Sequence, residues 1–510
     1  MKINSSGIFN SYLISILNKK GNIYRIDHNQ VDIDLLGKQI ILKNLEISLD
    51  QEQLNSSGIN QNIFFNVKIP YLTITGISYL DFILFRKISA DRIYLKAGNL
   101  KLYSIPEAHG KKKSLKKQKR FPSISLGRIT IEDTHVEFFT QFNSSPKIGL
   151  KSISVDSEKI IYDPEKTPGE NFSNGTPGLT FTAGNSFFIF KRTGYKAETE
   201  NIMLTTSNPS ILLKKFKYAP SSEKTRKKII SSKGSFHRFN ISEINLKNID
   251  LEELEENKRI RASELHIKTP EIHILRNRNI RRKSKKRGGK LPQQRFRESD
   301  LKVELKLIRL NNGVIKYSEI APGERIAESI FFTKVESSLK DITNFPEILK
   351  TGKESSVSVS AELMGKSTLK GKIIIPINHR GNRFSFSGSL EKTNPLILNN
   401  FLKKNIRIRI DSGKINHMYF SVKADNRKAS GKLLLAYKNL KVTLLRKHDP
   451  ARKSRFRTFL ANTFIYRNNP TKKRRKIRTG KIFYERKVKG SIFNYMWKCI
   501  LAGIKSSIKI

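Results

Sequence analysis

The segment 384-FSFSGSL-390 is one of six strand-like stretches between residues 356 and 445. The others are 357-VSVSAEL-363, 370-KGKIIIPI-377, 407-RIRID-411, 417-HMYFSVKAD-425 and 431-GKLLLAYKNLKVTLL-445. Apolar and polar residues alternate within these stretches, and a period of two places every second side chain on the same face of a sheet. The alternation therefore predicts a sheet with one apolar face and one polar face.

Short links with turn residues separate the stretches, at residues 379–382, 411–414 and 425–428. Links this short join antiparallel neighbours. We therefore predict a mainly β protein with a long, curled antiparallel sheet that forms an open trough, with short amphipathic helices at both ends of the chain. The expected regions are an N-terminal helix (1–21), elongated β-units with basic loops (22–355), a C-terminal β region (356–445), and a basic linker with a terminal helix (446–510).

A paired pattern recurs upstream, in which two apolar residues one position apart precede a polar turn and two more follow. The copies are Ile93-x-Leu95 with Leu100-x-Leu102, Ile129-x-Ile131 with Val136-x-Phe138, Ile244-x-Leu246 with Ile249-x-Leu251, and Ile308-x-Leu310 with Ile315-x-Tyr317. Each copy predicts a strand, a sharp bend or hairpin, and a second strand. Their irregular spacing excludes a strict solenoid repeat.

The chain of 510 residues carries 98 Lys and Arg against 44 Asp and Glu, a formal net charge of +54. Four basic runs hold much of the surplus, at residues 111–120, 214–233, 276–297 and 472–478. Like charges in a run repel one another, so we expect solvated loops there. The surplus itself indicates a polyanionic partner, either nucleic acid or anionic lipid head groups.

No pattern for catalysis or for cofactor binding is found. Cys499 is the only cysteine, and it lies within an apolar helical stripe. The sequence Gly365-Lys366-Ser367-Thr368 lacks the earlier glycine of a phosphate loop, since Ser360 occupies that position. The histidines have no acidic partner at metal-ligand spacing. We expect no catalytic residue, no metal and no cofactor, and thus no enzyme.

Both chain ends predict amphipathic helices. Ile8–Leu17 has one apolar face, and 491–508 has apolar residues at 492, 493, 496, 497, 500, 501, 504 and 508, with Ser491 as N-cap. Aromatic residues beside lysines suit a membrane interface, whereas a helix that covers the end of a sheet would serve equally well. The candidate interface residues are Phe493, Trp497, Lys498, Ile500 and Lys505.

Residues 384–508 resemble the C-terminal part of bacterial AsmA-like proteins. The residues that carry the likeness are 384-FSFSGSL-390, 410-IDSGKI-415, 431-GKLLLAYKNLKV-442, 459-FLAN-462, Asn469-Pro470, and 491-SIFNYMWK-498 with 503-GIK-505. The resemblance implies a periplasmic protein of the cell envelope whose trough carries phospholipid between membranes, in contact with anionic membrane surfaces. Members of the family begin with an inner-membrane helix, and Met1 stands just after the place where that helix would end.

A trough of this kind needs an unbroken apolar lane on one face of the sheet. The candidate lane residues are Val357, Val359, Leu363, Phe384, Phe386, Ile406, Ile408, Ile410, Leu440, Val442 and Leu444. The alternative is that these side chains form the closed core of a β-sandwich.

Three functions remain open at this point. The first is lipid transfer or lipid homeostasis in the envelope. The second is a scaffold without transport that assists the assembly of outer-membrane proteins. The third is nucleic-acid binding through the basic runs, but those runs contain few aromatic residues for base stacking, which argues against it.

Overall fold

The computed structural model describes residues 2–3, 23–34, 36–50, 52, 63–85, 87–104, 123–140, 144–162, 178–280, 289–376, 382–445, 466–471, 476–486 and 492–508. The predicted helix at Ile8–Leu17, the basic run at 111–120 and the cap residue Ser491 lie outside these residues. Two compact units divide the chain: residues 1–217 with 247–258, and residues 218–246 with 259–510. The predicted boundaries at 355 and 445 fall within the second unit.

The fold is mainly β, as predicted. The strands that begin in the first unit are β1 (Lys2–Ile3), β2 (Tyr24–Asp27), β3 (Gln30–Asp34), β4 (Gln39–Leu49), β5 (Ile63–Thr75), β6 (Lys87–Lys96), β7 (Asn99–Ser104), β8 (Ser123–Phe139), β9 (Ile148–Tyr162), β10 (Leu179–Ala183), β11 (Ser186–Phe190), β12 (Tyr195–Thr199), β13 (Asn201–Thr205) and β14 (Ser210–Pro220).

The strands that begin in the second unit are β15 (Ser235–Ile249), β16 (Ile260–Lys268), β17 (Glu271–Asn277), β18 (Val303–Ile320), β19 (Ala327–Thr343), β20 (Glu354–Leu363), β21 (Ser367–Pro376), β22 (Phe384–Leu390), β23 (Ile408–Ala424), β24 (Lys428–Leu444) and β25 (Thr479–Glu485). The helices are α1 (Tyr79–Phe85), α2 (Glu223–Lys233), α3 (Leu251–Glu256), α4 (Pro292–Arg297), α5 (Pro346–Leu349), α6 (Asn399–Ile406) and α7 (Ile492–Ile508), with a 3₁₀ helix at Pro395–Leu398.

From β18 to β25 each strand pairs antiparallel with the next, as the short links predicted. The expectation of a wholly antiparallel sheet is nevertheless wrong. β6 and β7 both pair parallel with β8, and β16 and β17 both pair parallel with β18. Parallel neighbours need a long connection, and residues 105–122 and 278–302 provide it. The predicted basic run at 111–120 falls within the first connection, and most of the run at 276–297 falls within the second. The prediction of a loop at 214–233 is wrong, because these residues form the end of β14 and helix α2.

Left-handed residues break the long strands at corresponding places. In the first unit these are Asn44 (φ 51), Ala97 (φ 57), Asp133 (φ 45) and Ser152 (φ 48), at neighbouring positions on adjacent strands. Asp133 and Ser152 coincide with register shifts between β8 and β9, where a bulge bends the strand and increases its twist. The register of β4 with β5 is unchanged across Asn44, and that of β6 and β7 with β8 is unchanged across Ala97. The repeated sequence pattern therefore marks an irregular point within a long strand, or a break between two consecutive strand segments. Of the two predicted alternatives, the hairpin is wrong, and the sharp bend stays a prediction.

Two further sequence expectations are corrected by local caps. The pattern after Ile249 predicted a strand, but Asp250 accepts a hydrogen bond from the Glu253 amide at 3.0 Å and starts helix α3 there. The alternation Ile406 to Ile410 predicted one strand. Ile406 instead ends helix α6, because Arg407 adopts a left-handed conformation (φ 60) that closes the helix before β23 begins.

The predicted turn at 411–414 is also absent, since β23 continues through it with register shifts between Ile410 and Lys414. Gly413 adopts a φ of 135°, which a residue with a side chain rarely adopts. The two predicted strands are therefore one strand of 17 residues. The sequence Asn394-Pro395 predicts the start of a short helical turn with Asn394 as N-cap. This cap is confirmed, because the Asn394 side chain accepts a hydrogen bond from the Leu396 amide at 3.1 Å.

Candidate functional site

A continuous row of apolar side chains crosses the sheet of the first unit. Residues in direct cross-strand register share a face, so the pairings can be followed from strand to strand. The row contains Val31, Leu42, Leu72, Leu95, Ile131, Val155, Phe181, Leu204 and Ile211. We call this set the first apolar row. It spans nine strands without a polar interruption.

The neighbouring positions on the same strands point to the opposite face and are mostly polar. They are Asp32, Ile41, Thr73, Tyr94, Thr130, Asp156, Thr180, Thr205 and Ser210, which we call the threonine row. Arg128 donates two hydrogen bonds to Asp156, at 2.9 and 2.8 Å, and this pair lowers the pKa of the Asp156 carboxyl. The two faces of this sheet are thus chemically distinct.

The apolar row is closed at one end and partly open along the rest. Val31 and Leu42 are buried in a cluster with Tyr24, Leu45 and Ile47. The seven members from Leu72 to Ile211 are only half-buried. A fully packed core would bury such side chains almost completely. Most of this row therefore keeps accessible apolar surface.

The sheet of the second unit carries a matching row. It contains Leu265, Ile308, Leu339, Val357, Ile373, Phe386, Val422, Gly431 and Ile482, and we call it the second apolar row. Its exposure changes abruptly at β22. The five members from Leu265 to Ile373 are half-buried, whereas Phe386, Val422 and Ile482 are 2%, 1% and 3% exposed.

Helix α7 causes this change, because it packs on β24 and β25 and covers the apolar face there. Its buried side is formed by Tyr495, Cys499, Gly503 and Ser507, four residues apart. The ring of Tyr495 packs edge-on against Phe384 with centroids 6.2 Å apart. Burial raises the pKa of the Cys499 thiol to about 11, so this thiol is protonated at neutral pH.

The predicted lane residues fall into four groups. Val357, Val359 and Leu363 are half-buried on β20. Phe384, Phe386 and Val442 are buried. Ile408 pairs with Leu444 and Ile410 with Val442 at the far end of β23, and Leu440 packs at the border of the core below α7. Ile406 lies on helix α6 and is not part of the sheet.

The predicted interface residues lie on α7, but its buried stripe differs from the predicted one. The sequence placed Phe493 and Trp497 on the same stripe as Ile500. In the structure Ile500 packs towards the core, while Phe493 is 74% exposed and Trp497 is half-buried. Small residues explain the difference, since Gly503 and Ser507 allow the helix backbone to approach β25 closely. Lys498 is half-buried, and Lys505 is exposed.

Sequence reasoning missed the first apolar row, although it identified the motifs that contain Leu95 and Ile131. The recurring pattern was the available signal for strands at these positions. The sequence contained no signal for the register that aligns these strands with distant ones. Within the described residues, no helix is long and apolar enough to cross a membrane, and no three acidic, histidine or cysteine side chains group together as metal ligands. A scan of protein-family models and a search of curated proteins both gave no match for this chain.

Proposed function

We propose that this protein carries phospholipid acyl chains along the apolar rows of its sheets, as a lipid-transfer or lipid-homeostasis protein of the cell envelope. The observation that carries the proposal is the first apolar row, with seven consecutive half-buried members between Leu72 and Ile211. The AsmA-like resemblance of the C-terminal region supports the same function, with a periplasmic location and an open trough as its expected setting.

The length of the row suits a lipid path. Nine strands at a spacing of about 4.8 Å span about 38 Å. The hydrocarbon core of a bilayer is about 30 Å thick, so the row offers an apolar surface longer than a bilayer core. A lipid could move along such a surface without leaving contact with apolar side chains.

The energetics require this continuity. Exposing an acyl chain of roughly 16 carbons to water costs on the order of 12 kcal/mol, at about 0.8 kcal/mol per CH₂ group. A polar interruption would impose part of that cost at each passage. The unbroken row avoids it, while the threonine row keeps the other face of the same strands hydrated.

In the second unit the half-buried part of the row, from Leu265 to Ile373, would provide the equivalent path. Beyond β22 the row lies under helix α7, which would close the path at this end. The exposed Phe493 and the partly exposed Trp497 on the outer side of α7 would contact the membrane interface, where aromatic side chains are favourable.

Bound lipid is the direct test of this function. The protein, purified from membranes under native conditions, should carry phospholipid detectable by native mass spectrometry. Phe181→Glu places a charge in the first apolar row and should lower the bound lipid several-fold. Thr182→Glu changes the next residue, on the opposite face, and should leave lipid content unchanged. Protein that carries no lipid at any concentration, or equal loss in both variants, contradicts the proposal.

One observation favours the alternative of a scaffold without transport. Phe384 and Phe386 form a closed core with Val422 and Tyr495, as in an ordinary packed domain. A deletion strain that shows altered assembly of outer-membrane proteins with normal lipid distribution would favour this second function.

A further inference from the structure

The polar face of the second unit carries a row of a different composition from the threonine row. Following the register from β16 to β25, excluding β17, the row contains His266, Arg309, Ser338, Ser358, Lys372, Ser387, Ser421, Lys432 and Lys481. We call it the lysine–serine row. It contains neither an acidic nor an apolar residue.

Lysines extend this chemistry into the two flanking rows on the same face. Lys370 lies two residues from Lys372 on β21, and Lys423 lies two residues from Ser421 on β23. Both are exposed, as are Lys372, Lys432 and Lys481. None of these five lysines forms an ion pair with a carboxylate in the part of the chain that the structure describes. Their charges are therefore available to a ligand.

The arrangement places like charges together. Lys432 and Lys481 are directly opposed on β24 and β25. Like charges in such a pair are destabilising, whereas opposite charges stabilise. A surface that retains this repulsion gains most from a bound anion, which converts the repulsion into attraction.

The overall basicity of the protein does not explain the row. In the first unit the corresponding face carries the threonine row, which contains no lysine, and two cations near it pair with acids. Arg128 pairs with Asp156, and Lys68 pairs with Glu46 at 2.7 Å. A central row of lysine and serine is thus a property of the second unit, and its lysines lie on the strands from β21 to β25.

We propose that this lysine–serine surface binds anionic phospholipid head groups at a membrane surface. The five lysines are distributed over β21, β23, β24 and β25, about 19 Å across at the usual strand spacing. Such a two-dimensional array matches a plane of head groups. Serine hydroxyls between the lysines can donate hydrogen bonds to phosphate oxygens.

Two exposed aromatic side chains favour a membrane over nucleic acid. Tyr419 is 55% exposed and Phe483 is 62% exposed, and they lie on the two rows that flank the lysine–serine row. Aromatic residues among lysines are typical of the membrane interface. Base stacking would require neighbouring aromatic rings. Tyr419 and Phe483 instead lie two strands apart, on opposite sides of the lysine–serine row.

This site is independent of the proposed lipid path, because it lies on the opposite face of the sheet from the second apolar row. A variant can therefore lose vesicle binding and keep its bound lipid, or lose its bound lipid and keep vesicle binding. The two proposals can thus be contradicted independently. Helix α7 also covers the apolar face, so its outer aromatic residues and the lysine–serine surface point away from each other. They would not contact the same planar patch of membrane.

The test is flotation of the full chain with phosphatidylcholine vesicles, with and without phosphatidylglycerol. We expect binding only to the anionic vesicles. The triple variant Lys372→Gln, Lys432→Gln and Lys481→Gln should bind about 100-fold more weakly, since each lysine near an anionic surface contributes about fivefold. The control is Lys224→Gln, Lys227→Gln and Lys228→Gln on helix α2, which removes the same charge from another exposed surface.

The control variant should retain binding within about twofold, and both variants should melt at the wild-type temperature. Equal loss of vesicle affinity in the two variants would overturn the proposal, because it would mean that the net charge of the protein determines binding, and not the position of the lysines. The proposal would also be overturned if the row variant lost affinity for single-stranded RNA while it kept its affinity for vesicles.

Discussion

Gly480 on β25 and Gly503 on helix α7 are in direct contact, and a Cβ atom added to Gly480 would overlap the carbonyl oxygen of Gly503. A Cβ atom on Gly503 would in turn lie 2.7 Å from atoms of both Ile482 and Leu433. The absence of two side chains thus allows the helix to lie directly on the sheet. This contact determines how much of the second apolar row is covered.

Gly503→Leu should therefore displace α7 from β25. Overpacking of this kind typically costs about 1–3 kcal/mol, so we expect the free energy of unfolding of the second unit to fall by at least that amount. Cys499, now buried and protonated, should become reactive towards a thiol reagent at pH 8. The readouts are chemical denaturation and the rate of thiol labelling.

Gly178→Leu serves as the control, because a Cβ atom added there would meet only the Ser207 hydroxyl, at 3.1 Å. It should leave both stability and labelling near wild type. Fast labelling of Cys499 in the wild-type protein would show that α7 is not held in the observed position.

Two substitutions in the second apolar row should separate covered from accessible positions. Phe386 is 2% exposed, and Phe386→Glu would bury a charge without a partner, which should cost more than about 3 kcal/mol or prevent folding. Val357 is half-buried two strands away in the same row, so Val357→Glu should fold and lower the bound phospholipid. Thermal unfolding and lipid analysis provide the measurements.

Ile408→Glu offers a third position, at the far end of β23. If the lipid path extends to this end of β23, the Ile408→Glu variant should carry less phospholipid than the wild type, as expected for Val357→Glu. Full lipid content in Val357→Glu, with the fold intact, would exclude the second apolar row as a lipid path.

Trp497 is the single tryptophan of the chain, so its fluorescence reports on α7 alone. We expect its emission to shift to the blue when vesicles are added, because the half-exposed ring would move into the less polar membrane interface. Phe493→Ser and Lys505→Gln should each weaken this response several-fold. Lys224→Gln on helix α2, which also removes one exposed positive charge, is the control. An unchanged spectrum of the wild-type protein at saturating vesicle concentration would rule out contact through helix α7.

His273 should make the stability of the second unit sensitive to acid. Burial lowers the pKa of its imidazole below the usual 6.5, and Lys316, Arg238 and Arg226 lower it further. The neutral ring is hydrogen-bonded to Ser318 at 2.9 Å and packs edge-on against Phe236. The unfolded chain therefore binds the proton more tightly than the folded protein.

Its stabilising contribution is complete above about pH 6.5 and is lost as the pH falls towards the lower pKa of the folded state. We expect the melting temperature to decrease in that range, and His273→Gln to reduce the decrease. His417→Gln, at a half-exposed position on β23, is the matched control. An identical pH profile for wild type and His273→Gln would contradict this account.

The sequence by itself determined the type of the elements and the chemistry of their faces. Alternation at residues 384–390 and 440–444 predicted strands with one apolar face, and the apolar spacing after residue 491 predicted a terminal helix. These signals depend on the backbone period of two or 3.6 residues, which neighbouring residues carry without any tertiary contact. The Asn394 cap is local in the same way.

Only the tertiary structure decided which residues form a row. Any even shift of an alternating strand keeps its apolar face, so the sequence does not fix the partner of Leu95 or Phe181. The parallel pairing of β6 with β8 depends on the long connection, and the extent of the covered surface depends on the contact between Gly480 and Gly503. Each of these results from residues far apart in the chain, whose relative positions are set by packing and not by local periodicity.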